Sequence, residues 1–354
     1  MLIGIIIVII FLSVLILIHE LGHFFAAKKF GLWVQEFGFG LPPRIWGKKK
    51  GETVYSVNAL PFGGFVKIYG EDQEENDSQL SARGGSALGG AISDKTRSFS
   101  NLPAWKRAVI LIAGVVMNFI LGWVLISIVF AIGIPQAVFI TDVKANSPAA
   151  ESGILANDKI LDFKTTKDFI SFIDQNRGKE ISLKIERAGK EIEIKSVPRK
   201  NPPAGEGALG IALIDAGQPK MNIFSALWGG LKSSFEVFSM IYVAIFKLIQ
   251  AAILGKGSLA GLTGPVGIVK ITGEVSKLGL LYLLQLLALI SLNLAAINIF
   301  PFPALDGGRI LFLIIEKIKG SPLPQKFERY ANALGLALLL FLMLVITIKD
   351  IARF

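Results

Sequence analysis

The chain has 354 residues, 52% of them hydrophobic, with a formal net charge of +10 and a mean hydropathy of +0.58. Soluble domains are less apolar than this, and with no cysteine in the chain neither disulfides nor thiolate ligands enter any mechanism. The positive charge does not indicate nucleic acid, because the basic residues lie in loops beside apolar runs, where they mark the cytoplasmic side of membrane spans.

Four apolar runs are long enough to cross a bilayer as helices: Leu2–Ala27, about Ala108–Ile134, about Leu278–Phe300 and about Ala331–Ile348. The first exceeds the apolar core of a signal peptide and has neither a basic leader nor a clear cleavage site, so it reads as a retained span. Lys28, Lys29, Arg44, Lys48, Lys49 and Lys50 follow it, and Lys106 and Arg107 precede the second. The stretch Thr53–Tyr69 predicts a β-hairpin or small sheet: Thr53–Val57 and Phe65–Tyr69 are strand-like, with Pro61 and Gly63-Gly64 between them. Glu71–Thr96 is polar and Gly/Ser-rich and reads as a flexible loop.

After the second run comes Ala137–Leu213, the one clearly polar segment. Phe139–Val143, Ile160–Phe163, Ile181–Arg187 and Ile192–Val197 are strand-like, and they surround a helix start at Ser147-Pro148 and a second helix over Lys167–Asn176. Met221–Gly255 is apolar but carries Lys232, Glu236 and Lys247, which predicts an amphipathic helix on the membrane surface. With four crossings, the loop after the third run carries Arg309, Lys317, Lys319, Lys326 and Arg329 on the cytoplasmic side, as charge bias requires.

The chemistry centres on His19-Glu20-Leu21-Gly22-His23. On a helix, residues four apart share a face. Two imidazoles so placed bind one zinc ion, and Glu20 stands where it takes a proton from the attacking water. The plainer reading is a chance pair of core histidines. Against it, these are the only histidines in the chain, and a carboxylate mid-span costs about 2.5–3.5 kcal/mol on insertion scales. A catalytic zinc has three protein ligands. With His and Cys exhausted, the third is a carboxylate, and Asp306 is the best candidate. It lies in Asn298-Ile299-Phe300-Pro301-Phe302-Pro303-Ala304-Leu305-Asp306-Gly307-Gly308, where Pro301 and Pro303 break the helix after the third run. A simple Asp-Gly turn is the competing reading.

Taken together, these motifs resemble the site-2 protease family of intramembrane metalloproteases, in its bacterial RseP/RasP-like branch. Gly38-Phe39-Gly40, Gly63-Gly64 and Gly264-Pro265-Val266-Gly267-Ile268 also carry the likeness, which covers nearly the whole chain. The pattern from Val143 to Ile160 resembles a PDZ domain, with Asn157-Asp158 where Gly-Asp is usual. Leu209-Gly210-Ile211 resembles the loop that holds a peptide carboxylate, so late in the chain that the domain would be circularly permuted. The expected architecture is a polytopic α-helical membrane protein with about four spans, a membrane-associated β-hairpin and one inserted PDZ-like α+β domain. Its divisions are 1–134, 135–215 (PDZ-like), 216–277 (surface segment) and 278–354.

The resemblance implies one Zn²⁺ held by His19, His23 and Asp306, with Glu20 as base and Asn298 helping to hold substrate beside Pro301 and Pro303. It implies single-span membrane proteins as substrates, such as trimmed anti-sigma factors and remnant signal peptides, with an upstream site-1-type protease acting first. The location it implies is a bacterial inner membrane, with the PDZ-like domain outside. The hairpin at Gly63, Gly64 and Phe65 would offer an unwound substrate a strand edge. A catalytically silent scaffold with a peptide-binding PDZ domain is the alternative, and a transporter is a more distant one.

Overall fold

The computed structural model describes residues 2–71, 95–187, 189–203, 205–255 and 261–353. The flexible loop expected over Glu71–Thr96 falls on 72–94, outside the described residues. The chain forms two compact units, one of residues 1–127 with 227–354 and one of residues 128–226. Among the described residues, five helices are long and apolar enough to cross a membrane.

In the first unit, α1 (Leu2–Lys29) is apolar to its last turn, where Lys28 and Lys29 favour the negative helix end. Gly31, at φ +76, ends it. The Gly31 N–H bonds back to Lys28 and that of Leu32 to Ala27, so the last carbonyls stay satisfied. Helix α2 (Ala104–Ile132) starts beside the end of α1, with the Trp105 and Phe30 rings 5.8 Å apart. Helix α7 (Leu280–Asn298) closes the group. Leu15, Leu125, Leu287 and Ala288 form one buried cluster. Deeper along α1, His19 meets Asn118 and His23 meets Ile110. Residue numbers on α2 therefore fall as those on α1 rise, and α2 is antiparallel to α1. Along α7 the numbers rise, because the Ser291 hydroxyl bonds the Asn118 carbonyl at 2.7 Å. The α7 helix thus runs in the same direction as α1.

Strands β1 (Val34–Lys50) and β2 (Thr53–Ile68) follow α1. Both strand-like runs expected within 53–69 are strand in a small sheet, but they do not pair with each other as a hairpin: 53–68 is one long bent strand, and its partner is 34–50, a stretch that reads as a basic loop. Phe37 faces Val66 on one side and Tyr55 on the other, while Lys50 faces Thr53. The two strands thus fold back on themselves. Residues 34–39 lie in the middle, and 64–68 pair with them on one side only. The Ser13 hydroxyl bonds the Pro61 carbonyl at 2.8 Å and fixes this ribbon to α1.

Helix α5 (Ile223–Ile253) was expected to lie flat on the membrane surface. Its first half instead runs along α2. The Trp123 indole donates to the Leu227 carbonyl, Phe119 packs on Phe235 and Phe238, and the Tyr242 hydroxyl reaches the Ala296 carbonyl at 3.2 Å. A helix lying flat would meet α2 at one end only.

Two further helices were read as loop or surface segment: α6 (Pro265–Val275) and α8 (Asp306–Lys319). The buried Asp350 carboxylate, near the end of α9 (Gln325–Arg353), accepts the N–H groups of Gly264 and Gly267 and so caps α6.

The second unit contains a five-stranded sheet in the order β6-β5-β4-β3-β7. In chain order these strands are β3 (Ile134–Val143), β4 (Lys159–Ile160), β5 (Ile181–Arg187), β6 (Lys190–Ser196) and β7 (Ile211–Gln218). Helices α3 (Pro148–Glu151) and α4 (Thr166–Gln175) complete it, each capped by the hydroxyl before it, Ser147 and Thr165. Val138, Ile140, Ile160, Phe169, Leu183, Ile185 and Leu209 form its core. Asp158, 1% exposed, accepts two hydrogen bonds from the Arg187 guanidinium at 2.7 Å and one from the Leu155 N–H at 2.8 Å. Burial pushes its carboxyl up, but Arg187 and Leu155 outweigh burial and hold it below the usual range.

A carboxyl depressed in the folded state stabilises at neutral pH, and that contribution disappears as pH falls below about 4. Asp158→Asn should therefore cost the unit about 2–3 kcal/mol at pH 7 and abolish that acid dependence. Hydrogen exchange of the β4 and β5 amides between pH 7 and 3.5 measures both effects.

Candidate metal centre

The α1 helix carries His19 and His23 on one face, both buried. Asp306 arrives from the far end of the chain, and the loop before it explains how. The α7 helix stops at Asn298, and Pro301 and Pro303 leave the backbone without two N–H donors. Ala304 adopts φ +77, a conformation non-glycine residues rarely take, and its N–H is held by the Asn332 side chain of α9 at 3.0 Å. Gly307 and Gly308 then pack against the loop's own carbonyls. A Cβ on Gly307 would lie 2.2 Å from the Ile299 oxygen, and one on Gly308 2.2 Å from the Phe302 oxygen. Asp306 opens α8, where the helix N-terminus favours a carboxylate.

The structure brings these three residues together, with candidate ligand atoms all within 4.8 Å of one another. His19 Nε2 is 3.2 Å from His23 Nε2. Asp306 Oδ2 lies 3.0 Å from His19 Nε2 and 3.6 Å from His23 Nε2. That oxygen is buried and makes no hydrogen bond. His23 Nδ1 lies 2.8 Å from the Ile110 carbonyl, which can only accept, so Nδ1 carries a proton and, in the neutral ring, Nε2 keeps its lone pair. A buried lone pair and a buried carboxylate oxygen converging at this distance repel each other unless a proton or a metal cation lies between them. The donor set, two imidazoles and one carboxylate, suits Zn²⁺ with a fourth position open.

Gly114 makes the approach possible. A Cβ there would lie 2.4 Å from His23 Nε2 and 2.8 Å from His19 Cε1. Gly22 packs as tightly in return, because its Cβ would lie 2.3 Å from the Ala113 carbonyl.

Glu20 accepts the Val66 N–H at 3.1 Å, so the one-sided ribbon edge faces it. Gly64 lies beside the Glu20 stem, Gly63 beside Ile16, and Phe65 covers Gly38. Asn298, Pro301 and Pro303 belong to the α7 end and the loop that delivers Asp306. Leu209, Gly210 and Ile211 lie in the other unit. There the Leu209 carbonyl accepts from Ala149 and the Gly210 carbonyl from Lys144, with Gly210 at φ +73.

Three residues of α2 escaped the sequence reading: Ile110, Gly114 and Asn118, spaced one turn apart on the face turned to the histidines. The available signal was a lone Asn in an apolar run with Gly four residues before it.

A histidine pair one turn apart on an apolar helix, with a carboxylate converging on it, defines the class: a metallopeptidase built into a membrane protein. The model of peptidase family M50 matches residues 7–342. A Clostridium perfringens protein is 34% identical over 96% of both chains. The regulator of sigma-W protease RasP of Bacillus subtilis is 31% identical, covering 98% of this chain and 97% of its own. The zinc metalloprotease RasP of Bacillus licheniformis is 30% identical over 96% of each. The chain belongs to peptidase family M50, the site-2 proteases. It is a zinc metallopeptidase and an integral membrane protein.

Gly114→Ala should strip the centre of zinc. Alanine raises helix propensity by about 1 kcal/mol, so α2 itself is not weakened. The added methyl has no space beside His23. Zinc per protein after mild chelation in detergent should fall below half of wild type, with the helical circular dichroism unchanged.

Proposed function

We propose that the protein hydrolyses peptide bonds within or near the transmembrane segments of single-span membrane proteins, with His19, His23 and Asp306 as zinc ligands and Glu20 as general base. The observation that carries this reading is the convergence of Asp306 on the two histidines across nearly the full length of the chain. Zinc supplies Lewis-acid chemistry, polarising the scissile carbonyl and activating water. The chain's own residues do the rest. The Ile110 carbonyl orients His23. Glu20, one residue after His19, takes the proton of the attacking water and returns it to the leaving amine.

A helical peptide bond is closed off by its own hydrogen bonds. The one-sided edge 64–68 supports a role for Gly63, Gly64 and Phe65 in holding an unwound substrate by strand addition, next to Glu20. Asn298, with Pro301 and Pro303, lies on the loop that presents Asp306, which supports a part in substrate holding there.

The full crossings are α1, α2, α7 and α9, in a bacterial inner membrane. The first half of α5 runs beside α2, and α6 meets Gly4 at the outer end of α1. The unit of β3 to β7 is read as a PDZ-like domain outside the membrane, from 135 to 215 and extended by the end of β7. In it, β7 comes last in sequence yet pairs beside β3, as circular permutation requires. It screens substrates that an upstream site-1-type protease has trimmed. Remnant signal peptides and trimmed anti-sigma factors are the substrate classes. The RasP relative's printed role as a regulator of sigma-W supports the latter.

Glu20→Gln should keep zinc and lose about 10²–10⁴-fold in cleavage of a model single-span substrate, because an amide cannot accept the proton. Asp306→Asn should lose zinc and activity together. Full zinc retention in Asp306→Ala would place the third ligand elsewhere. Cysteines introduced on β5 should react with an impermeant thiol reagent from outside the cell; labelling only from the cytoplasm would overturn the topology.

A further inference from the structure

Asn118 lies mid-way along α2, fully buried among apolar side chains. Its amide nitrogen is 3.3 Å from His19 Nδ1, and its Oδ1 is buried with no hydrogen-bond partner. The helix is clamped at this residue, because the Asn118 carbonyl accepts the Ser291 hydroxyl of α7 at 2.7 Å.

The two histidines are oriented differently. A carbonyl faces His23 Nδ1 and admits only one tautomer. An amide faces His19 Nδ1, and an amide offers a donor or an acceptor depending on a half-turn about its final bond. With zinc on Nε2, Nδ1 must carry the proton. A donor facing that N–H is repulsive, and removing the proton would leave an imidazolate. Only Oδ1 satisfies the loaded ring.

We infer that Asn118 is the positioning residue for His19: its side-chain amide presents Oδ1 to Nδ1–H and fixes the tautomer that gives Nε2 to zinc. The inference rests on His19 being a ligand. Together with Ile110 it makes α2 the outer support of both histidines, with Gly114 between them leaving the rings room. Partners of this kind typically change metal affinity by about 10–100-fold.

The test is zinc affinity by chelator competition on the full-length protein in detergent, together with the thermal midpoint after zinc is stripped. Asn118→Leu keeps the volume and removes the acceptor. It should weaken zinc about 10–100-fold and leave the stripped midpoint unchanged. Asn118→Asp keeps an acceptor in either orientation and should stay within about threefold of wild type, because the bond to Nδ1–H survives. The visible spectrum of the cobalt-loaded protein should shift in Asn118→Leu and not in Asn118→Asp. If Asn118→Leu fails to fold, Asn118→Ala makes the same comparison. Wild-type affinity in the folded variant without an acceptor overturns the inference, and so does an Asn118→Asp as weak as Asn118→Leu. His19→Ala separates the two layers. Retention of zinc there removes His19 as a ligand, and the inference with it. Loss of zinc there with wild-type affinity in Asn118→Leu overturns the role of Asn118 alone.

Discussion

The convergence of His19, His23 and Asp306 governs the rest of the membrane unit. Polar ligand groups in an apolar surrounding are costly unless each is held and paired, and a single helix cannot hold them. A histidine side chain on α1 reaches the site from one side only. Its ring orientation, the placement of its proton and a carboxylate partner must all come from elsewhere. The α2 helix supplies the first two and the loop before α8 supplies the third.

The loop before α8 shows what that requires. A carboxylate at helical depth needs irregular backbone, which is tolerated there only where protein or a lined cavity satisfies it. Ala304 at φ +77 costs on the order of 1 kcal/mol. Asn332 offsets that cost by taking up the Ala304 N–H, and Gly335 of α9 lets the Pro303 carbonyl approach to where a Cβ would lie 2.5 Å away. The last helix therefore shapes the metal centre without contributing a ligand. A capped α6 at its other end anchors the same helix a second time.

Legibility from sequence followed the range of each signal. His19 and His23 are a local pattern, read directly from helical spacing. Asp306 was reached by exhaustion of other ligand types and by the prolines before it, and the structure brings it to the two histidines. The spans were plain from length and hydropathy, although their ends moved by a few residues. Strand β1 was not legible. Pro42-Pro43, three glycines and Lys48–Lys50 argue for a loop, and what makes it a strand is pairing with β2, a tertiary effect that local propensity does not contain. The α8 helix was hidden because Arg309, Lys317 and Lys319 carry the positive bias of a cytoplasmic loop and so read as loop. The α5 helix was misjudged for a related reason. Three charges suggested a surface, whereas Phe235, Phe238 and Tyr242, which lie between those charges, make the contacts with α2 and α7.

Gly114 and Asn118 lie at the limit of what one sequence yields. Apart from context, a glycine in an apolar helix is ordinary and an asparagine is mildly unfavourable. Their meaning depends on the face they share with Ile110, and on which helix that face meets. Helical spacing gives the shared face. Only the antiparallel pairing of α2 with α1 says that the face meets His19 and His23, and that pairing also sets which residue meets which ring. Shifting α2 by one turn would put Gly114 where Asn118 stands and leave His19 Nδ1 facing bare backbone with no side-chain acceptor. The register of two helices is therefore part of the chemistry: it decides whether the ring nitrogen turned away from the metal is satisfied, and hence whether the nitrogen turned towards it is free to bind.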